Sequence, residues 1–339
     1  MAVVRRHGFI LITALWTLTF LSVLAVMLLA GVRQRIVLFQ RLEDRARVQA
    51  AAEAGVKKAE AMTLDALEDP SVAAVVVKQR LHNNPAEFAG MDVGGVAVEV
   101  VPDALDPGTG AVGTAWGVAD EQSKINLNTS SREILARLVT EALGWNGVEA
   151  RALADAIADW RDYGQHSTEG FFNDDYYKSL EFPYPMKDAV FARPDELLLV
   201  KGVNAKIYET LLPFITVYGD GHVNINTASR QALVALGLDV PLAQKLVRFR
   251  RGADNLEATA DDHVFARTFD VAADIAGSVK LDPSEVRQID DLNARDLLTS
   301  ESGIYAFISR VPASAGGYKR SIACVFSVFE SRVLYWYEK

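Results

Sequence analysis

Residues 5–32 read RRHGFILITALWTLTFLSVLAVMLLAGV, and no charged side chain stands between Gly8 and Arg33. Two dozen residues in a helix cover about 36 Å, which exceeds a hydrocarbon core of ~30 Å. Arg5 and Arg6 precede the run and favour keeping that end in the cytoplasm. Three readings compete. A cleaved secretory signal would place its small-residue site after the run, where Ala30 and Gly31 stand, yet the helical pattern continues past them. A plain anchor accounts for the span alone. Processing between Gly8 and Phe9 would keep the whole apolar helix on the mature chain.

Beyond Val32, apolar Leu38, Leu42, Ala46, Val48, Ala51, Ala52, Val56, Ala59 and Met62 recur at helical spacing among Arg, Glu and Lys. The spacing predicts one spine running from the membrane into a solvent-facing helix; a stalk or coiled-coil helix would carry the same pattern. Asp69-Pro70 ends it. A mixed helix is expected over Ala73 to His82, a strand from Val93 through Val101, a Pro- and Gly-rich loop over Pro102 to Gly113, and a short strand over Ala115 to Asp120. The tail is strand-rich as well, over Tyr305–Ile308, Ser321–Phe329 and Val333–Trp336. Strands thus flank a helical middle. The simplest architecture is one α+β domain with a helical insertion, because isolated hairpins are marginal and both strand groups need a sheet partner.

The middle contains a repeat. Ile125-Asn126-Leu127-Asn128-Thr129-Ser130-Ser131-Arg132 matches Val223-Asn224-Ile225-Asn226-Thr227-Ala228-Ser229-Arg230, and Leu135 and Leu233 follow at equal distances. Ala156-Ile157-Ala158-Asp159-Trp160-Arg161 resembles Lys245-Leu246-Val247-Arg248-Phe249-Arg250. Two copies of one helical unit follow from this. The Asn-x-Asn-Thr entry reads as a capping signature, with Asn and Thr satisfying first-turn N–H groups.

The chain has 339 residues, half of them apolar, and a net charge of −9. That is a globular composition, and its acidity disfavours nucleic acid as the main partner. Cys324 is the sole cysteine and sits in an apolar run, where it reads as a small core residue. The five histidines are scattered, and no nucleophile, zinc or phosphate-loop motif is present. An enzyme is therefore not expected. Asp159, Asp162, Glu169, Asp174 and Asp175 gather around Gly164 and Gly170, hard oxygen donors of the kind that hold calcium, though a solvated acidic loop reads the same. Asp254, Glu257, Asp261 and Asp262 form a weaker acidic stretch.

The Arg-Arg-His-Gly-Phe junction resembles a type IV prepilin leader, which is cut before its apolar segment. Most such leaders carry Glu at the fifth mature position; here it is Thr13. The missing Glu, the long spine, the run Asp120-Glu121-Gln122-Ser123-Lys124-Ile125-Asn126-Leu127-Asn128, the duplicated insertion, Leu197 to Gly202 and the strand-rich tail together resemble minor pseudopilin K of type II secretion (the general secretion pathway protein K family). The resemblance implies a type IV pilin-like fold, a long N-terminal helix plus antiparallel sheet, interrupted by two SAM-like or helix-hairpin-helix-like units. It implies a leader over 1–8, spine over 9–68, sheet parts over 69–124 and 291–339, and helical units over 125–222 and 223–290. It implies cleavage between Gly8 and Phe9, methylation of Phe9, a single-pass inner-membrane anchor with a periplasmic domain, and a tip position signalled by Thr13. The implied partners are I- and J-type minor pseudopilins with an H-type subunit as a further candidate, the prepilin peptidase and the inner-membrane secretion platform. Calcium is the one cofactor it raises. The helical units also resemble DNA-binding hairpins of the form Gly-h-Gly. Here, though, Gly202-Val203-Asn204 and Gly237-Leu238-Asp239 replace the second Gly, and Asp239 sets an anion where a phosphate would sit.

Overall fold

A computed structural model describes residues 7–68, 80–102, 115–162, 174–312 and 317–339. Its first element, α1 (His7–Glu68), is one unbroken helix of 62 residues. The helix has two environments. Through Leu42 its side chains face outward, with Phe9, Trp16 and Phe39 about three-quarters exposed. From Val48 onward it buries Val48, Ala51, Ala52, Val56, Ala59 and Ala66. Small residues four apart let the helix lie close on its support. Gly55 marks the tightest approach: a Cβ there would stand 2.2 Å from Ser309 Oγ and 2.7 Å from Val98 Cγ1. Ser309 donates from Oγ to the Ala52 carbonyl at 2.7 Å, tying the sheet to the helix.

After α1 come α2 (Pro85–Phe88), β1 (Met91–Val93), β2 (Val96–Pro102) and β3 (Ala119–Asp120). The helix expected over Ala73 to His82 lies largely outside the described residues, as does most of the loop over Pro102 to Gly113. The strand expected over Ala115 to Asp120 shrinks to its last two residues. Gly117 turns the chain at φ 144°, its N–H bonding Val100 while Val118 bonds Leu81, so no continuous ladder forms there.

The insertion opens with β4 (Ile125–Asn126), α3 (Arg132–Leu143), α4 (Gly147–Arg161), α5 (Asp174–Lys178), α6 (Ala205–Leu211) and β5 (Ile215–Thr216). The second copy runs through β6 (Val223–Asn224), α7 (Arg230–Leu236), α8 (Val240–Arg250), α9 (Val271–Ala276), α10 (Pro283–Ala294) and β7 (Leu298–Thr299). Each copy is closed by one short parallel bridge, Ile125 with Ile215 and Val223 with Leu298. Both copies share one apolar core that includes Leu135, Leu138, Ile157, Leu197, Leu233, Leu246, Phe265 and Leu292. The domain break expected between 290 and 291 falls inside α10. Ile289 and Leu292 both face that core, and the second copy continues to β7.

The tail forms β8 (Ile304–Val311), β9 (Arg320–Ser327) and β10 (Arg332–Glu338). The sheet order is β1-β2-β8-β9-β10, antiparallel, with β3 beside β8. Glu99 faces Arg310 and Pro102 faces Phe307, so strands from before and after the insertion are immediate neighbours. The insertion is an excursion from one sheet. One face of that sheet packs Val98, Phe307 and Cys324 against α1; the other sets Ile304, Ala306 and Val325 toward Tyr218 of the insertion. The long N-terminal helix on an antiparallel sheet, interrupted by helices, is the expected α+β arrangement.

Candidate functional site

The segment joining sheet to insertion is a buried polar knot. Asp120 ends β3 and is 4% exposed. Its carboxylate accepts from the Gln122 N–H at 2.7 Å, Asn224 Nδ2 at 2.9 Å, Thr227 Oγ1 at 2.5 Å and Ser302 Oγ at 2.5 Å. Gln122 lies in the turn that Asp120 itself opens, Asn224 and Thr227 in the second copy's entry, and Ser302 in the return to the sheet. One carboxylate therefore ties its own segment to two distant ones. Burial pushes its pKa above the ordinary 3.8, against the lowering pull of Ser302 and Thr227. Beside it, Gln122 Oε1 accepts from the Gly303 N–H at 2.9 Å. Glu121 and Lys124 form a buried ion pair, and Thr216 Oγ1 donates to Glu121 at 2.6 Å. Breaking a buried pair by removing one partner costs about 3–5 kcal/mol, so this segment has little freedom to move.

The repeated Asn-x-Asn works differently from a cap. Ser131 and Ser229 cap α3 and α7, accepting from Ile134 and Ala232. In each copy the first Asn accepts from the N–H two residues on, at 2.8 Å for Asn126 and 2.9 Å for Asn224, which folds the entry into a turn. The second Asn clasps remote backbone. Asn128 accepts from Phe191 N–H and donates to Phe191 and Val217 carbonyls. Asn226 accepts from Phe265 N–H and donates to Phe265 and Ser300 carbonyls. Arg161 and Arg250 complete the likeness, each reaching the carbonyl between the two Asn residues, at Leu127 and Ile225. Replacing Asn226 by Ala should cost about 3 kcal/mol by orphaning buried backbone groups. Urea denaturation of the full chain in detergent checks this, with the exposed Asn146→Ala cap variant expected to cost about 1 kcal/mol.

The copies meet at His222, whose Nδ1 lies 2.8 Å from Asp220 and Nε2 3.3 Å from Asp296. The hydrogen bond to Asp220, aided by Asp296, raises its pKa above 6.5. A raised folded pKa means that the imidazolium stabilises the folded state fully below 6.5, and that this is lost as pH rises through the folded value. Wild type should therefore exceed His222→Asn in denaturation midpoint at pH 5.5 and converge with it at pH 9.

The hairpin positions are helix caps. Asn204 accepts from Ile207 N–H at 3.0 Å and Asp239 from Leu242 N–H at 2.9 Å. The N–H groups that would face a phosphate are thus engaged by the chain itself. By place in the unit, Gly237-Leu238-Asp239 corresponds to Gly144-Trp145-Asn146, the α3–α4 turn, which the sequence reading passed over. Gly144 is left-handed at φ 67°, and Asn146 caps α4. A Gly two residues before a capping Asn or Asp was the available signal.

Of the residues expected to hold calcium, Asp159 is buried with Oδ1 2.8 Å from Arg132 Nη2, and Asp162 Oδ1 lies 2.8 Å from Arg161 Nε. Glu169 and the side chain of Asp174 lie outside the described residues, and Asp175 is exposed. Among the described residues, no three acidic, His or Cys side chains converge on one point. The donors that are described thus do not by themselves fit a cation. In the second acidic stretch, Asp261 accepts from the Asp254 N–H, from Thr259 Oγ1 and from the Ala253 N–H, bonds that hold its pKa down to about 2. Asp262 accepts from the Ala258 N–H. These carboxylates pin a loop.

The spine presents the other surface. Its apolar stretch is long enough to cross a membrane. Within it Thr13 Oγ1 donates to the Ile10 carbonyl at 2.9 Å, and Thr17, Thr19 and Ser22 do likewise to the preceding turn. Every hydroxyl of the stretch is satisfied inside the helix, as a lipid environment requires. Gly8 and Phe9 lie within the first turns of α1.

Residues 117–220, from the sheet junction to the end of the first copy, match the family model for type II secretion system protein K. The type II secretion system protein K of Aeromonas hydrophila is 35% identical over 109 residues, covering 30% of this chain and 33% of that protein. The Klebsiella pneumoniae protein of the same name is 26% identical over 149 residues, covering 40% and 45%. The matches thus span between a third and under half of these relatives. In the crystal structure of the GspK-GspI-GspJ complex from enterotoxigenic Escherichia coli, one chain aligns with a TM-score of 0.64 at 14% identity, covering 89% of this chain and 99% of that one. That likeness is one of fold, and it includes sheet and insertion alike. The domain match falls on the junction and the first clasp, the residues whose buried bonds tie sheet to insertion, and over residues 117–220 the chain is similar to type II secretion system protein K.

Proposed function

We propose that this chain is the tip minor pseudopilin of a type II secretion machine, a structural part that helps a short periplasmic fibre export folded proteins across the outer membrane. The observation that carries the reading is the spine: a membrane-long helix, bare of partners through Leu42, with a self-satisfied Thr13 where stacked subunits hold an acid. A subunit with nothing above it needs no carboxylate for a follower's N-terminal amine, and a bare carboxylate in lipid is costly. The helical excursion over 125–299 widens the body, which suits an end position better than a stacked one. In this reading the prepilin peptidase cuts between Gly8 and Phe9 and Phe9 is methylated. The inner-membrane platform extracts the subunit, and I- and J-type subunits, with an H-type beneath them, pack along the spine. The GspK-GspI-GspJ assembly of the similar structure supports the choice of partners. Mass spectrometry of the mature chain should find Phe9 first, and the full chain should co-purify with its I- and J-type neighbours. A chain trimmed past Ala30, or one that never associates, overturns the reading.

This reading assigns calcium to the acidic stretch of sequence that includes Glu169. Because Asp159 and Asp162 are held by arginines, titration with calcium should raise the melting temperature only if Glu169 is intact; no shift ends the idea. The alternative of a membrane-anchored DNA-binding or DNA-uptake protein draws on the duplicated helical turns. The capped N–H groups weigh against it, and an absent gel shift with duplex DNA at low salt removes it.

A further inference from the structure

We infer that the helical turns directly above the membrane span, from Arg33 to Leu42, form a collar that binds the phosphate groups of anionic phospholipids. The inference rests on α1 spanning the bilayer. Residues 9–32 alone cover about 36 Å at 1.5 Å per residue, so Arg33 emerges at headgroup level. The next ten residues rise a further ~15 Å. They hold Arg33, Arg35 and Arg41 with no acidic residue before Glu43. Among the described residues none of these three arginines enters an ion pair, whereas Arg47 pairs with Glu43 at 3.1 Å and Arg45 lies over the Tyr318 ring.

Their neighbours are the second observation. Ile36, Leu38, Phe39 and Leu42 are all more than half exposed. At 100° per residue Ile36, Leu38, Phe39 and Leu42 fall within one arc of about 160° that also holds Arg35, while Arg33 and Arg41 stand on the other side, so a cationic head is within reach all round the helix. Exposed apolar side chains beside long cationic chains that can lie along them and lift their heads describe a segment solvated by an interface. The charge tally points the same way. Two arginines precede the span and three follow it closely, so the flanking bias does not by itself favour carrying the second group across. Anionic headgroups on the far leaflet would compensate those charges, and guanidinium binds phosphate in a fork. The ligand chemistry is therefore a phosphodiester headgroup of net negative charge, as in phosphatidylglycerol.

The full chain, reconstituted with equal phosphatidylglycerol and phosphatidylcholine and released for native mass spectrometry, reads this directly. Bound phosphatidylglycerol should exceed phosphatidylcholine by about tenfold or more, since each cation near an anionic surface contributes appreciably. The triple variant Arg33→Gln, Arg35→Gln, Arg41→Gln should fall to near equality. The triple change to Lys should keep most of the preference, and Arg47→Gln all of it. Equal retention of the two lipids by the wild-type chain, or an undiminished preference in the Gln triple variant, overturns the collar. So does a Gln variant that loses only its co-purifying subunits, which would assign the arginines to an acidic protein partner. Alkaline carbonate extraction separates this failure from that of the spanning reading: a chain washed off the membrane sinks both, whereas a retained chain without lipid preference sinks the collar alone.

Discussion

Gly55→Leu unseats the spine from the sheet. Even the Cβ of a larger residue at this position would lie 2.2 Å from Ser309 Oγ and 2.7 Å from Val98 Cγ1, inside any tolerable contact. Ser309 is fully buried and bonded to the Ala52 carbonyl, so its hydroxyl cannot swing away without leaving that carbonyl's second bond unmade. Val98 is itself fully buried, in the same core as Phe307 and Cys324. The Leu side chain must therefore push α1 outward along Ala51, Ala52, Val56 and Ala59, stripping contacts over several turns. Overpacking of this kind costs about 3 kcal/mol, and loss of the whole helix seat costs more. A large drop in the urea midpoint of the detergent-solubilised chain is expected. Gly55→Ala should lie between, since Ala recovers about 1 kcal/mol of helix propensity against the same clash. Adding Ser309→Ala to Gly55→Ala should restore part of the loss, a coupling that a double-mutant cycle measures. An unchanged midpoint in Gly55→Leu would show that the helix does not rest where it is placed here.

Gly55 also illustrates what sequence could and could not disclose. The spine was legible because a charge-free run and helical spacing are local signals, and α1 follows them without a break. The tail strands were legible from β-branched and aromatic runs, and β8, β9 and β10 fall on them. That β2 and β8 are neighbours was not legible, because their pairing spans some two hundred residues and leaves no local trace. The repeat was visible but its physics was misread. Asn-x-Asn looked like capping because capping is a local event, whereas Asn128 and Asn226 bind backbone sixty-three and thirty-nine residues away. The short β3 was overestimated because alternation in Ala115 to Asp120 hides the left-handed Gly117. The break expected at 290 missed that Ile289 and Leu292 belong to the insertion core, a contact that only the fold discloses. Asp120 looked like one more acidic residue beside Glu121; only the fold brings Asn224, Thr227 and Ser302 to it.

That convergence makes Asp120→Ala the second severe change. Four donors lose their acceptor together: the Gln122 N–H, Asn224 Nδ2, Thr227 Oγ1 and Ser302 Oγ. The two hydroxyls can rotate toward other carbonyls, but the backbone N–H and the amide cannot. Orphaned buried donors cost ~1–3 kcal/mol each, so a total of about 3–5 kcal/mol is expected. The loss should appear first as faster amide exchange in β3 and the facing part of β8, because the knot is what seats the insertion on the sheet. Asp120→Asn tests the charge separately. It keeps the shape and one acceptor: with its oxygen toward the Gln122 N–H and Ser302, its amide meets Thr227, which can turn to accept, so its cost should be smaller. Burial holds the Asp120 pKa above 3.8, which means that the folded state takes up the proton more readily than the unfolded one. Its stabilising contribution is then complete below 3.8 and fades as pH rises through the folded value. Wild type should accordingly gain on Asp120→Asn as the pH is lowered from 7.5 toward 4. A gap that instead widens on raising the pH would mean that the neutral donors outweigh desolvation, and that the carboxylate sits in the knot as a welcome charge.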